Sequence, residues 1–299
     1  MRKKSMNNTP DKPIFYDLSD LGIASVIGDD AHEFLQGQLS NDIQQLSQNQ
    51  PHQLSAYCNP KGRMLAMFHI LKLETGYALI APRSILDKVL PRLRMFVMRS
   101  AVEIKPLDDT ILLGLHATRD GKSEMLAALS ARSTHIANHI NDNDRFFILS
   151  DEKIEGRFKT INEWNRLDIE QNLPQIYIET YEALIPQSVN LDIVGGVNFR
   201  KGCFPGQEIV ARVRYRGKPK TRMIGVKTSP AKPVELGGTV FIEGRNSAAG
   251  QVVNIANNKD FTLLSISVPV THIYEGNVYL DEARTELLDR LSCPYEITI

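Results

Sequence analysis

The rhythm of apolar and polar positions divides the chain near residue 217. Before it, short apolar runs alternate with amphipathic stretches; after it, brief apolar runs are separated by Gly, Pro and Asn. Residues 23–27 read as a strand. Asp30 and Glu33 then stand at N-cap and N3 spacing, which predicts a capping box opening a helix over 31–39. Runs at 53–58 and 64–73 flank the turn Asn59-Pro60-Lys61-Gly62, a hairpin signal. A strand at 77–81 precedes a helix capped by Ser84 and running to Phe96, with Ile85, Val89, Leu93 and Phe96 on one face. Strands over 101–105, 111–116 and 145–149, with a helix over 123–130, complete an α+β, split βαβ pattern. No GxGxxG or GxxxxGK[ST] occurs, which argues against a dinucleotide or P-loop enzyme.

From Ile161 the pattern is helical through Gln171. Asn172 suits the left-handed turn that ends a helix, and Pro174 forbids continuation. The chain is then irregular to about Phe199. Short strands at 222–227, 238–243, 250–254, 261–267 and 278–280 predict a small antiparallel barrel, with the domain boundary at 217–220.

Composition narrows the class. A length of 299 residues implies two or three compact units. With 42% hydrophobic and 23% charged residues, wholesale disorder is excluded. No apolar run approaches the roughly 18–20 residues of a membrane span. Arg2, Lys3 and Lys4 are followed by polar residues rather than an apolar segment, so no secretory signal is read and a cytoplasmic protein is expected. Cys58, Cys203 and Cys293 are too few and too scattered for a disulfide framework or a self-contained metal cluster.

Charge is balanced overall but unevenly placed. Residues 209–234 hold eight Lys or Arg (Arg212, Arg214, Arg216, Lys218, Lys220, Arg222, Lys227 and Lys232) and no acid. A basic stretch around Tyr215 can meet phosphates, a polyglutamate tail or RNA; it can equally be a solvated face.

The sharpest local feature is Arg200-Lys201-Gly202-Cys203-Phe204-Pro205-Gly206-Gln207-Glu208. Pro205 suits the first helical position, so a helix is expected just after Cys203, where its N-terminus and the basic neighbours would favour a reactive thiol. A small buried residue in a tight turn is the plainer alternative. No histidine lies close in sequence to act as its base, and Cys58 and Cys293 read as structural. Glu170, near a helix end, could accept hydrogen bonds from paired N–H donors of a ligand. Trp164 is the single tryptophan.

The strings KGCFPGQEIVAR at 201–212 and RYRGK at 214–218 resemble the signature of the folate-binding YgfZ family, relatives of the glycine-cleavage aminomethyltransferase (GcvT). Blocks at 34–42, 57–63, 168–174 and 185–187, with Asn190-Leu191, follow in family order. The resemblance implies a GcvT-like three-domain ring with ferredoxin-like α/β domains and a C-terminal antiparallel β-barrel. Its expected domains are 14–55 plus 150–217, 56–149, and 218–299. It further implies a monomer that binds tetrahydrofolate and serves iron–sulfur enzymes such as those that thiolate tRNA, with direct tRNA contact open. Cys203 and Lys201 would be the catalytic pair, and Glu170, Trp164, Arg212 and Tyr215 the cofactor-binding residues. No metal site is expected. A second family tryptophan, placed just before the first strand, corresponds to Gly22 here. The aspartate that aminomethyltransferases carry after the first hairpin turn is absent from Arg63-Met64-Leu65-Ala66-Met67-Phe68, so glycine-cleavage chemistry is not expected. The other readings are a one-carbon transferase and an RNA-binding module.

Overall fold

The computed structural model describes residues 14–47, 50–117, 122–130, 135–139 and 142–299; the basic residues Arg2, Lys3 and Lys4 lie outside the described residues. The chain begins with β1 (Ile14–Asp17), β2 (Leu21–Ile27), α1 (Ala31–Gln38), β3 (His52–Cys58), β4 (Met64–Lys72), β5 (Tyr77–Pro82), α2 (Arg83–Arg94) and β6 (Glu103–Pro106). It continues with β7 (Ile111–His116), α3 (Lys122–Ser130), β8 (His135–His139), β9 (Asp142–Ser150), β10 (Phe158–Lys159), α4 (Ile161–Glu170) and α5 (Gln207–Tyr215).

The split βαβ arrangement occurs twice. One sheet runs β3-β4-β5-β2-β6, a ferredoxin-like order with β3 added at its edge. The second runs β10-β1-β7-β9-β8, in which β1 supplies the fourth strand beside β7. Strand pairing therefore departs from the expected boundaries. The β3–β4 ladder runs from His52↔Leu71 to Cys58↔Met64, straight across a cut at 55/56. β1, expected to stay with 14–55, pairs with Leu113 to His116 instead. By sheets, the units are 21–106, and 14–17 together with 111–159. Long-range pairing of short strands overrides proximity along the chain.

The period of two along each strand explains how the sheets stack. In β5, Ala78 and Ile80 face the second sheet, while Tyr77, Leu79 and Ala81 face α1 and α2. In β9, Phe147 and Leu149 face the first sheet, while Phe146 and Ile148 pack with Leu129 of α3. Helices thus cover the outer face of each sheet. The expected capping of both helices is corrected. Asp30 stands at the N-cap of α1 as expected but makes no side-chain capping bond; its carboxylate accepts from Ala101 N at 2.7 Å and ties the helix start to the β6 approach. Pro82, not Ser84, is the N-cap of α2. Gly22 lies inside β2 rather than before it, and a Cβ there would come within 2.7 Å of Leu86 Cδ1.

Between the sheets sits a buried polar cluster that the sequence did not announce. Arg145, fully buried, donates to Asp142 Oδ2 at 2.8 Å and to Asp168 Oδ1 of α4 at 2.7 Å, and stands 4.8 Å over the Trp164 ring. Burial raises the Asp168 carboxyl, and Arg145 pulls it back down. His52 Nδ1 lies 3.0 Å from the Asn138 carbonyl, and His52 Nε2 lies 3.0 Å from His69 Nδ1. A carbonyl only accepts, so His52 carries its proton on Nδ1, and Nε2 accepts from His69 Nδ1–H. Full burial favours the neutral form of both rings. Burial lowers His52 to about 4, and burial, His52 and Arg145 hold His69 well below its ordinary value.

The last third forms a curled antiparallel sheet of β11 (Thr221–Thr228), β12 (Thr239–Ile242), β13 (Gly250–Asn257), β14 (Thr262–Pro269), β15 (Val278–Tyr279) and β16 (Asp289–Arg290). Its order is β15-β12-β13-β14-β11-β16. The edges approach through a bridge between Tyr279 and Leu287, leaving a half-barrel around Val226, Val240, Val252 and Ile266.

The neutral histidines give stability a definite pH dependence. Their folded pKa values lie below the unfolded one, so the unfolded chain binds more protons as pH falls below about 6.5. Stability is then lost at about 1.4 kcal/mol per pH unit per histidine, for His52 until about pH 4. Urea unfolding between pH 7.5 and 5 should show this decline, and His52→Gln should flatten it. An unchanged slope in that variant would mean that the ring titrates normally in the fold.

Candidate functional site

The signature loop rests on the hairpin turn that precedes β4. Gly206 adopts φ +80°, and a Cβ there would sit 2.4 Å from Asn59 O and 2.7 Å from Gly62 Cα. Gly62 itself has φ +71°, with Ile209 3.0 Å from a Cβ position. Two glycines thus let two backbones touch where side chains would hold them apart. This contact sets the helix start. Gly206 is the N-cap and α5 begins at Gln207, so Pro205 precedes the helix and Cys203 stands outside its first turn. That corrects the expected helix start just after Cys203, and with it the support that a helix N-terminus would lend its thiol, since that field fades within a turn.

Lys201 is folded underneath. Its ammonium donates to the carbonyls of Gln36 and Leu39, the latter at 2.5 Å, and so closes the C-terminal end of α1. Burial lowers this amine to about 8, while Asp42 and Cys203 pull it upward. Lys201 also lies 5.4 Å over the Phe204 ring. Cys203 is exposed, whereas Cys58 is buried and pushed to about 12. Cys293 receives a hydrogen bond from Asn172 Nδ2 at 3.3 Å.

The flanking motif blocks form the scaffold of this loop. Ser40 Oγ donates to Gly196 O at 2.7 Å, and Asn41 Nδ2 donates to Leu54 O and Gly195 O, each at 2.7 Å. Gln187 Nε2 donates to Val210 O of α5 at 2.7 Å. Asn190, in the left-handed region at φ +61°, donates to Met223 O and accepts from Met223 N, fixing the half-barrel to the same segment. Sequence reading found these blocks without assigning them this work, because each bond joins residues far apart in the chain.

The remaining expected residues lie elsewhere. Trp164 is 2% exposed, packed on Gly114 and edge-on to Tyr16 and His139, in the core between the sheets; Phe204 belongs to the core on the other side. Glu170, at the end of α4, is open to solvent and 3.6 Å from Arg166. Asn172 adopts φ +50°, the left-handed stop expected of it. The basic segment is only partly free. Arg222 is buried in a two-pronged pair with Asp192 at 2.5 and 3.1 Å, and Lys232 meets Glu286 at 2.8 Å. Arg212, Arg214, Arg216, Lys218 and Lys220 remain exposed. Beside them Tyr215 packs edge-on against Phe199, with Arg214 5.6 Å over the Phe199 ring. Among the described residues no cluster of three or more His, Cys, Asp or Glu could hold a metal ion, and no helix is long and apolar enough to cross a membrane.

The glycine contact carries a direct expectation. Gly206→Ala forces a Cβ into the Asn59 carbonyl at positive φ, and should cost about 1–3 kcal/mol. Gly202→Ala, where a Cβ meets nothing within 4 Å, should cost far less. Equal unfolding free energies for the two variants would show that the loops do not touch.

No protein-family model matches the chain. A "tRNA-modifying protein YgfZ" from Escherichia coli O45:K1 is 31% identical over 240 residues, covering 74% of this chain and 73% of the relative. The protein of the same name from Hamiltonella defensa is 33% identical over 250 residues, covering 76% and 73%. Among solved structures, glycine cleavage system aminomethyltransferase T from Bartonella henselae superposes with a TM-score of 0.72 at 17% identity, over 95% of this chain and 86% of that one. That likeness establishes the aminomethyltransferase fold. With the cysteine loop, its glycine-backed turn and the scaffold blocks assembled as described, the sequence match places the chain in the YgfZ family.

Proposed function

We propose that the protein is a tetrahydrofolate-binding accessory factor for iron–sulfur enzymes that supports tRNA modification, thiolation in particular, and that Cys203 is its working group. One observation carries this reading: the exposed thiol is held on a loop whose other conspicuous residues are spent on building it. Lys201 closes α1, and Gly206 docks on the turn, leaving Cys203 facing solvent. In the accessory role Lys201 is a positioning residue.

Two groups of exposed side chains support this reading by their chemistry, each suited to one polar end of a folate. Glu170 is an accessible carboxylate able to accept paired N–H bonds from a pterin. Arg212 and Tyr215 lie on an exposed basic face suited to a tail of carboxylates. Trp164, enclosed between the sheets, supports the fold around Glu170 rather than offering a stacking surface. A bound reduced folate would supply one-carbon or reducing chemistry. The strand after the turn argues against aminomethyl transfer: Met64 through Phe68 are all buried and apolar, so nothing there can orient or deprotonate a folate amine. A second reading, direct RNA contact, draws on exposed Tyr215 and Arg214, which flank the half-buried Phe199 ring.

Calorimetry with tetrahydrofolate should show Glu170→Ala weakening binding by about 1–3 kcal/mol. Undiminished affinity would take Glu170 out of the site. Cys203→Ser should bind folate like wild type yet fail to restore tRNA thiolation in cells lacking the protein; full restoration would show that the thiol is not the working group. Replacing Arg212, Arg214 and Arg216 with Gln should weaken tRNA binding most at low salt if RNA is contacted. Equal binding there would leave only a solvated face.

A further inference from the structure

A second concave site lies beside the signature loop, between the 59–63 turn, helix α2 and residues 181–183. It is a cleft of about 610 Å³, lined by Asn59, Pro60, Lys61, Arg63, Arg92 and Glu182 among others. Its walls are tied together by hydrogen bonds. Asn59 Oδ1 accepts from the Lys61 and Arg63 amides at 2.9 and 3.1 Å, and Asn59 Nδ2 donates to Glu182 Oε1 at 2.9 Å. Glu182 is held at φ +57° with its amide on Met64 O at 2.9 Å, and Arg63 donates to Ala183 O. The single lining carboxylate is thus engaged by an amide. Among the described residues, Lys61, Arg63 and Arg92 have no carboxylate within 4.0 Å, and neither does Lys88, one turn before Arg92 on α2, which sits 4.1 Å over the Tyr181 ring.

Arg92 is held from beneath. Burial raises the Tyr57 phenol, and the charge of Arg92 and its hydrogen bond to the phenol pull it back, so the two groups are paired under the cleft. Cations without a carboxylate partner around a small concave site match one kind of chemistry, a group with several acceptor oxygens and negative charge.

We propose that this cleft binds the phosphate or carboxylate oxyanion of a small ligand, with Arg92 as its main contact and Lys61 and Arg63 as flanking cations. The proposal does not depend on folate binding or on Cys203. Isothermal titration of the full chain with sodium phosphate, and separately with citrate, at constant ionic strength should give saturable binding of at least one probe. Phosphate alone would mark a phosphate ester as the ligand, citrate alone a polycarboxylate, and both a site selecting oxyanion charge. Arg92→Gln should weaken binding about tenfold or more. Lys61→Gln, on the exposed turn, serves if that variant misfolds, and the exposed Lys259→Gln should change nothing. No saturable heat from either probe, or wild-type affinity in both Arg92→Gln and Lys61→Gln, would overturn the proposal.

Discussion

Arg145 carries a full charge into a space closed to water, and the way its charge is met organises the first two sheets. Asp142 lies on its own strand, but Asp168 comes from α4, so the charge can be balanced only when that helix is docked. Losing one partner of such a buried pair leaves the other uncompensated, at about 3–5 kcal/mol. The same helix packs Ile169 against Ala256 and Leu263 of the half-barrel, and Asn162 exchanges two hydrogen bonds with Asn257 there, at 2.7 and 2.8 Å. One buried ion thereby fixes the position of the helix that joins sheet pair and barrel, and with it the placement of Glu170.

On the far side, the signature loop depends on a different constraint, the absence of two Cβ atoms. Gly62 and Gly206 let the turn and the loop meet, and the polar residues of the flanking blocks hold the ends of that contact. The family relationship and the fold are secure on sequence and superposition together. The strand that leaves this turn, Met64 to Phe68, is buried and apolar throughout.

The parts legible in the sequence were those set locally. Hairpin turn, amphipathic helices and short barrel strands announce themselves by period and punctuation, and Asn172 behaved as its αL preference requires. The helix start after the cysteine was misplaced because Pro205 suits a first helical position in isolation, while the packing of Gly206 on a turn about 150 residues away decides the matter. The strands of 14–17, 135–139 and 158–159 escaped notice because they are short and pair with distant segments. His52, His69 and Arg145 read as isolated polar positions in apolar strands; the β3–β4 pairing brings the two histidines together, and the stacking of the second sheet brings Arg145 to them. The basic cleft is hidden in the same way, its cations contributed by a turn and a helix about 30 residues apart. The sequence also overstated the basic surface, since Arg222 spends its charge on Asp192 inside the protein.

The placement of the single indole has a practical side. Trp164 lies in the seam between the two sheets, against a guanidinium and an imidazole, with the half-barrel's core elsewhere. Its emission is therefore an optical gauge of that seam: when solvent or an ionic quencher reaches the indole, the sheets have parted, whatever the half-barrel is doing. The chain thus carries a reporter for one of its joints, without any label being added.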